Sequence, residues 1–208
     1  MRVTDSVRSG RSPPAILMVP GWSDTSRALR PAQTFLLESG WPQSHVRAVT
    51  FRDPYGSNVN HADEIEEHLA ELLLTSGEAA AAVVAHSMGG LALRRYLISR
   101  TPVRVHTAIF AGTPHRGTWA AYLAWGRGGA EMRPGSRFLE ELARHPLPTS
   151  VRAICIRTPL DTRVIPGASA FLEGADCRLV RMPTHPRMLR HDGTLRLLRE
   201  LLLEACRT

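Results

Sequence analysis

"VVAHSMGGLAL", residues 83–93, sets one serine between an apolar run of small residues and the start of a helical pattern. The run AAAVVA (80–85) is continuous and apolar, as expected of a strand buried on both faces of a parallel sheet. MGGLALRRYLIS (88–99) carries helical spacing. Ser87 therefore falls where a strand must reverse into a helix within a residue or two. The backbone segments of so sharp a turn approach closely, so the positions two before and two after the serine need small side chains. They are Ala85 and Gly89, and Gly90 gives further clearance. The turn forces the serine into a strained conformation with its oxygen above the sheet, at a cost of about 1–3 kcal/mol. A serine that merely capped a helix would not need that strain.

Working outward, AILMVP (15–20), VRAVTF (46–51), VHTAIFAG (105–112), RAICIR (152–157) and CRLVRMP (177–183) read as five further strands. HADEIEEHLAELLLTSG (61–77) is a helix with Ile65, Leu69, Leu72 and Leu73 on one face and Gly77 as its stop. SRFLEELARH (136–145) and the amphipathic GTLRLLRELLLEAC (193–206) are two more. Strands alternating with helices predict an α/β fold: a three-layer α/β/α sandwich around a mostly parallel sheet of about six strands. Such sheets place their sites at the carboxyl ends of the strands.

The chain has 208 residues, enough for one full core. Residues 1–14 read as a loose polar leader, and 15–208 as a single domain. The net charge is +7, and with no lysine present all 26 basic residues are arginine. They are scattered and form no long basic tract, so no nucleic-acid partner is expected. Cys155, Cys177 and Cys206 show neither metal-ligand spacing nor C-x-x-C, and the first two lie in apolar runs, so they read as small core residues. No H-E-x-x-H or histidine–carboxylate cluster suggests a metal. No stretch reaches membrane-span length, so no membrane insertion is expected. The N-terminus lacks an apolar secretory core, which points to a cytoplasmic protein. Nothing in the sequence fixes an oligomeric state.

AHSMGG (85–90) resembles the nucleophile elbow of the α/β-hydrolases, in the version with alanine for the first glycine seen in small bacterial lipases. That resemblance implies a serine nucleophile at Ser87, followed in chain order by an acid and a histidine. TPLDTRVIP (158–166) places Asp161 just beyond a strand and is similar to the family's acid loop. Asp176, Asp192 and Glu173 are rivals with poorer placement. THPRMLRHDG (184–193) offers two histidines. His185 follows its strand directly and is preferred, while His191 sits near the last helix, where a local role suits it better. Acyl transfer builds negative charge on a carbonyl oxygen, which waiting backbone N–H groups must meet. The resemblance assigns them to Met88 and to Trp22, in the Gly21-Trp22 turn after the first strand, with Ser23 as the fallback. Pro20 stands where the family usually has histidine.

GTPHRG (112–117) is similar to a segment found in many lipases and esterases. It is expected to carry His115 and Arg116 to the rim of the site. Trp119, Tyr122 and Trp125 form an aromatic patch beside it, serving either as an acyl-pocket wall or as helix packing. His115 and Trp119 are thus candidate substrate-binding residues. The insertion 112–150 carries several glycines and is expected to be flexible and to make a small cap. The expected activity is hydrolysis of carboxylic esters, of small molecules or lipids, through Ser87, His185 and Asp161, with no cofactor. A thioesterase, amidase or acyltransferase on the same residues is the alternative, as is a non-catalytic binding protein of the same fold.

Overall fold

Residues 13–101, 104–181 and 184–204 are described by the computed structural model. Among them, strands β1 (Ile16–Val19), β2 (Val46–Ala48), β3 (Ala81–His86), β4 (Val105–Ala111), β5 (Arg152–Arg157) and β6 (Asp176–Leu179) pair in the order β2-β1-β3-β4-β5-β6. Every pairing is parallel. The helices are α1 (Ser26–Glu38), α2 (Asn58–Ser76), α3 (Gly89–Ser99), α4 (Gly126–Glu131), α5 (Arg137–Arg144) and α6 (Asp192–Glu204).

Because side chains alternate across a strand, the apolar strands feed two cores. On one face Leu17, Val19, Val83, Phe110 and Cys155 pack with Ile65, Leu69 and Leu72 of α2 and Leu93 and Tyr96 of α3. On the other, Ile16, Met18, Val84, Ile109 and Ile154 pack with Leu29 and Leu36 of α1 and Leu198 and Leu202 of α6. This is the expected three-layer arrangement. The chain leaves β1 toward β2 on one side and returns to β3 on the other. The strand order therefore reverses between β1 and β3, and the loops leaving their carboxyl ends face one crevice.

The boundaries depart from the sequence reading where local chemistry intervenes. Helix α1 escaped the pattern reading. It contains Pro31, which cannot donate to the helical ladder, yet Thr25 caps its start by accepting from the Arg27 N–H. Helix α2 begins at Asn58, three residues earlier than expected, because Ser57 caps it; Gly77, at φ +75°, ends it as anticipated. The second strand stops at Ala48 rather than Phe51. Val49 still donates to the Met18 carbonyl at 2.9 Å, and Val49 and Phe51 remain buried. The glycine-rich stretch expected to be flexible instead contains α4, whose Gly128 N–H donates to the Tyr55 carbonyl at 3.0 Å. Residues 1–12 of the expected leader, 182 and 183 of the sixth strand, and 205 and 206 of the last helix, Cys206 included, lie outside the described residues.

The β3–α3 corner admits little change. A Cβ added at Gly89 would lie 2.2 Å from the Pro20 carbonyl oxygen, a backbone atom that has no rotamer to yield. Helix propensity alone would make Gly89→Ala stabilising by up to about 1 kcal/mol. The clash predicts the opposite sign, a loss of about 1–3 kcal/mol in urea unfolding. A stabilised Gly89→Ala variant would refute this packing account.

Candidate active site

Strand β3 ends at His86, and Ser87 follows with φ +53°, a left-handed conformation uncommon for a side chain with a Cβ. Three neighbours hold it there. Its N–H donates to the Ala111 carbonyl at the end of β4, at 2.9 Å. Gly21, in the loop after β1, lies so close that an added Cβ would sit 3.0 Å from the Ser87 Cβ. Gly90 faces Thr113, whose Oγ1 would be 1.9 Å from an added Cβ. The small residues at 89 and 90 thus answer two different loops: the one after β1 and the one after β4.

The turn His185–Arg190 follows β6 and brings the His185 Nε2 to 2.9 Å from the Ser87 Oγ. The His185 Nδ1 lies 2.9 Å from Asp161 Oδ2, in the loop after β5. The side chains of His185 and Asp161 are each only 3% exposed. An ionised carboxylate only accepts hydrogen bonds, so the Nδ1–H donates to Asp161. Nε2 is then unprotonated and accepts the Ser87 hydroxyl proton. The other Asp161 oxygen accepts the N–H groups of Arg163 at 2.9 Å and Val164 at 2.7 Å. Burial pushes the Asp161 carboxyl upward, but the hydrogen bond and charge of His185, with the two backbone N–H groups, outweigh it and hold the carboxyl below its ordinary value.

His86 lies under this array. Its Nε2–H donates to the His185 carbonyl at 3.1 Å, and the two rings are 4.8 Å apart. Burial, then the nearby charge of His185, drives its pKa down to about 3. It therefore stays neutral at physiological pH and supports the His185 backbone without adding a competing cation.

Above Ser87 opens a cavity of about 400 Å³, lined among others by Trp22, Asp24, Leu123, Trp125, Arg163 and Val164. Met88 caps α3, and its backbone N–H belongs to the helix's open first turn. The Ser23 N–H, the fallback loop donor, is already donated to the Pro54 carbonyl at 3.1 Å. The Trp22 ring meets Tyr55 and Trp125 edge-on, with centroids 5.3 and 5.1 Å away, and its indole N–H donates to the Trp125 carbonyl.

Two candidates lie elsewhere. His115 does not line this cavity. It is buried against Phe110, and its Nε2 is 3.7 Å from the Cys155 sulfur. The G-T-P turn that was expected to lift it to the rim instead turns it into the core. Trp119 also stays outside the lining, exposed and stacked on Tyr122. The rivals are likewise apart from Ser87. His191 accepts the Leu195 N–H at the start of α6, and Asp176 pairs with Arg178 in β6. Asp24 and Arg163 were missed. Burial raises the Asp24 carboxyl, partly countered by Arg163, Arg190 and His185. Their signal was positional only, two residues beyond Trp22 and two beyond Asp161.

No protein-family model matches the chain. Its structure is similar to that of the mature lipase BlEst2 of Bacillus licheniformis, with a TM-score of 0.79, 16% identity, and coverage of 92% of this chain and 93% of that one. It is similar to lipase B of Aspergillus fumigatus, with a TM-score of 0.76, 17% identity, and coverage of 94% and 53%. A third similar structure is the naproxen esterase, carboxylesterase NP, of Bacillus subtilis, with a TM-score of 0.60, 15% identity, and coverage of 90% and 83%. With the open parallel sheet and its reversal point, these likenesses give the chain the α/β-hydrolase fold.

Proposed function

We propose that the protein is a serine hydrolase that cleaves carboxylic esters. The observation that carries this reading is the unbroken series of hydrogen bonds from Ser87 to His185 to Asp161, 2.9 Å at each step, at the floor of an open cavity. A serine hydroxyl is a weak nucleophile until a positioned base takes its proton. His185 Nε2 has the geometry to do so as Ser87 Oγ attacks the ester carbonyl. The Asp161 carboxylate holds the imidazole in the required tautomer and stabilises the cation that forms. The N–H groups of Met88 and Trp22 receive the developing oxyanion. His185 then hands its proton to the leaving alcohol. Water, activated by the same nitrogen, releases the acyl group from Ser87.

Similarity to two lipases and a carboxylesterase supports an ester substrate. The cavity wall supports it as well, since Leu123 and Trp125 give the acyl chain an apolar surface. The segment 112–150 supplies both residues and serves as a small cover over the site. Among the described residues, no helix is long and apolar enough to cross a membrane.

The wild type should hydrolyse p-nitrophenyl butyrate, and a fluorophosphonate should label Ser87. Ser87→Ala should lower turnover by on the order of 10⁴–10⁶ and abolish labelling. An active Ser87→Ala enzyme would end the proposal. A matched series of thioester and amide substrates, turned over faster than esters, would move the activity to those bonds. His185→Ala should lose about 10⁴ or more in turnover while His191→Ala keeps near-normal rates; the reverse result assigns the base to residue 191.

Asp161 also ties activity to acid stability. Its carboxyl titrates lower in the folded chain than its ordinary 3.8, so its stabilisation is complete above that pH. It is lost as pH falls from 3.8 through the folded value. The stability gap between wild type and Asp161→Asn should therefore persist from neutral pH down to about 4 and close below it. A gap that closes near pH 6 would contradict the assignment.

A further inference from the structure

A second cavity, of about 550 Å³, lies away from Ser87 and shares no lining residue with the first. On its polar side are Arg94, His115 and Arg116; on its apolar side are Leu147, Phe171 and Leu172. Arg94 projects from α3 and is only 6% exposed. Its guanidinium gives one hydrogen bond to the Leu142 carbonyl at 2.9 Å and a longer one, 3.4 Å, to that of His115. Its buried Nε–H has no partner, and among the described residues its hydrogen bonds go to these carbonyls and to no carboxylate. His115 beside it has a buried Nδ1 that is also unpartnered. Two neutral carbonyls leave a full positive charge uncompensated, and a buried charge in that state is destabilising. Burial accordingly lowers the Arg94 pKa to about 10. The Cys155 thiol supplies no counter-charge, since burial pushes its pKa well up and keeps it neutral.

We propose that this cavity is a binding site for a small organic monocarboxylate, whose head group supplies the counter-ion that Arg94 lacks and whose short apolar tail lies against Leu147, Phe171 and Leu172. Arg116 stands at the rim, its guanidinium 5.8 Å from the centre of the Phe171 ring, and adds a second cation on the route in. Leu147, Phe171 and Leu172 in the lining favour a tailed anion over inorganic phosphate. The site stands independently of the ester-cleaving reading, because none of its residues belongs to the Ser87 cavity.

Calorimetric titration of the full chain with hexanoate, hexanol and inorganic phosphate tests it. Hexanoate should bind at one site and raise the melting temperature. Hexanol and phosphate should bind about tenfold more weakly or not at all, the scale of losing a charge-assisted hydrogen bond. Arg94→Met should keep cooperative melting, since an apolar isostere can replace a buried charge, and should lose hexanoate affinity by about tenfold or more. No hexanoate binding by wild type, phosphate binding as tight as hexanoate, or full affinity in a folded Arg94→Met would each overturn the proposal; the last would place the anion elsewhere. Should Arg94→Met fail to fold, Arg116→Gln decides at an exposed position: a several-fold weaker hexanoate affinity supports the site, and an unchanged one refutes it.

Discussion

The left-handed corner at Ser87 is the constraint on which the rest of the molecule depends. A residue with a Cβ at φ +53° is an energetic liability unless its surroundings over-determine it. Here the surroundings are two loops from neighbouring strands. The loop after β1 presses the Pro20 carbonyl against position 89, and the loop after β4 presses Thr113 against position 90. Only glycine fits at either place without displacement. The strain is therefore distributed over three strand ends, and the sheet order that brings β1, β3 and β4 side by side is what makes the corner affordable.

From that corner the electrostatics follow. A hydroxyl fixed above the sheet can meet an imidazole only if a distant loop delivers one, and His185 arrives from beyond β6. Its position is defined from both ends. Asp161 fixes the ring through Nδ1, and His86 fixes the main chain through the carbonyl. The two partners carry different charges for a reason. Asp161 is kept ionised by four converging donors and charges, whereas His86 is kept neutral by burial. A cation at His86 would oppose a positive charge on the adjacent His185 ring, so its neutrality preserves the basicity of the array.

Much of this could be read from the chain because it depends on local pattern. The continuous apolar strands, the helix stop at Gly77 and the cramped serine turn each have a signature a few residues long. So do Asp161 and His185, because each directly follows a strand in the same sheet. What escaped reading depends on contacts distant in sequence. Helix α1 is masked by Pro31, and its apolar face becomes evident only against α6. His115 sits in a segment whose likeness to lipases suggested the rim, yet Phe110 and Cys155 offer its ring a buried place that no local pattern encodes. Asp24 and Arg163 acquire meaning only when the β1 and β5 loops meet. The glycines of 126–135 suggested looseness, whereas Tyr55, distant in sequence, requires the first of them small: a Cβ at Gly126 would lie 2.5 Å from its carbonyl oxygen.

The fastening of that same segment bears on how the cavity accepts a guest. The Glu131 carboxylate, at the end of α4, accepts from the Ser57 hydroxyl at 2.6 Å, the Asn58 N–H at 2.7 Å and the Asn58 side-chain amide at 2.9 Å. It thus neutralises the open first turn of α2 with a negative charge where the helix dipole favours one. Trp22 links the same segment to the β1 loop through its bond to Trp125. The roof is therefore bolted to the walls at two corners. Under the proposed ester-cleaving reading, selection among guests then rests on the width of a standing doorway, shaped by Leu123 and Trp125.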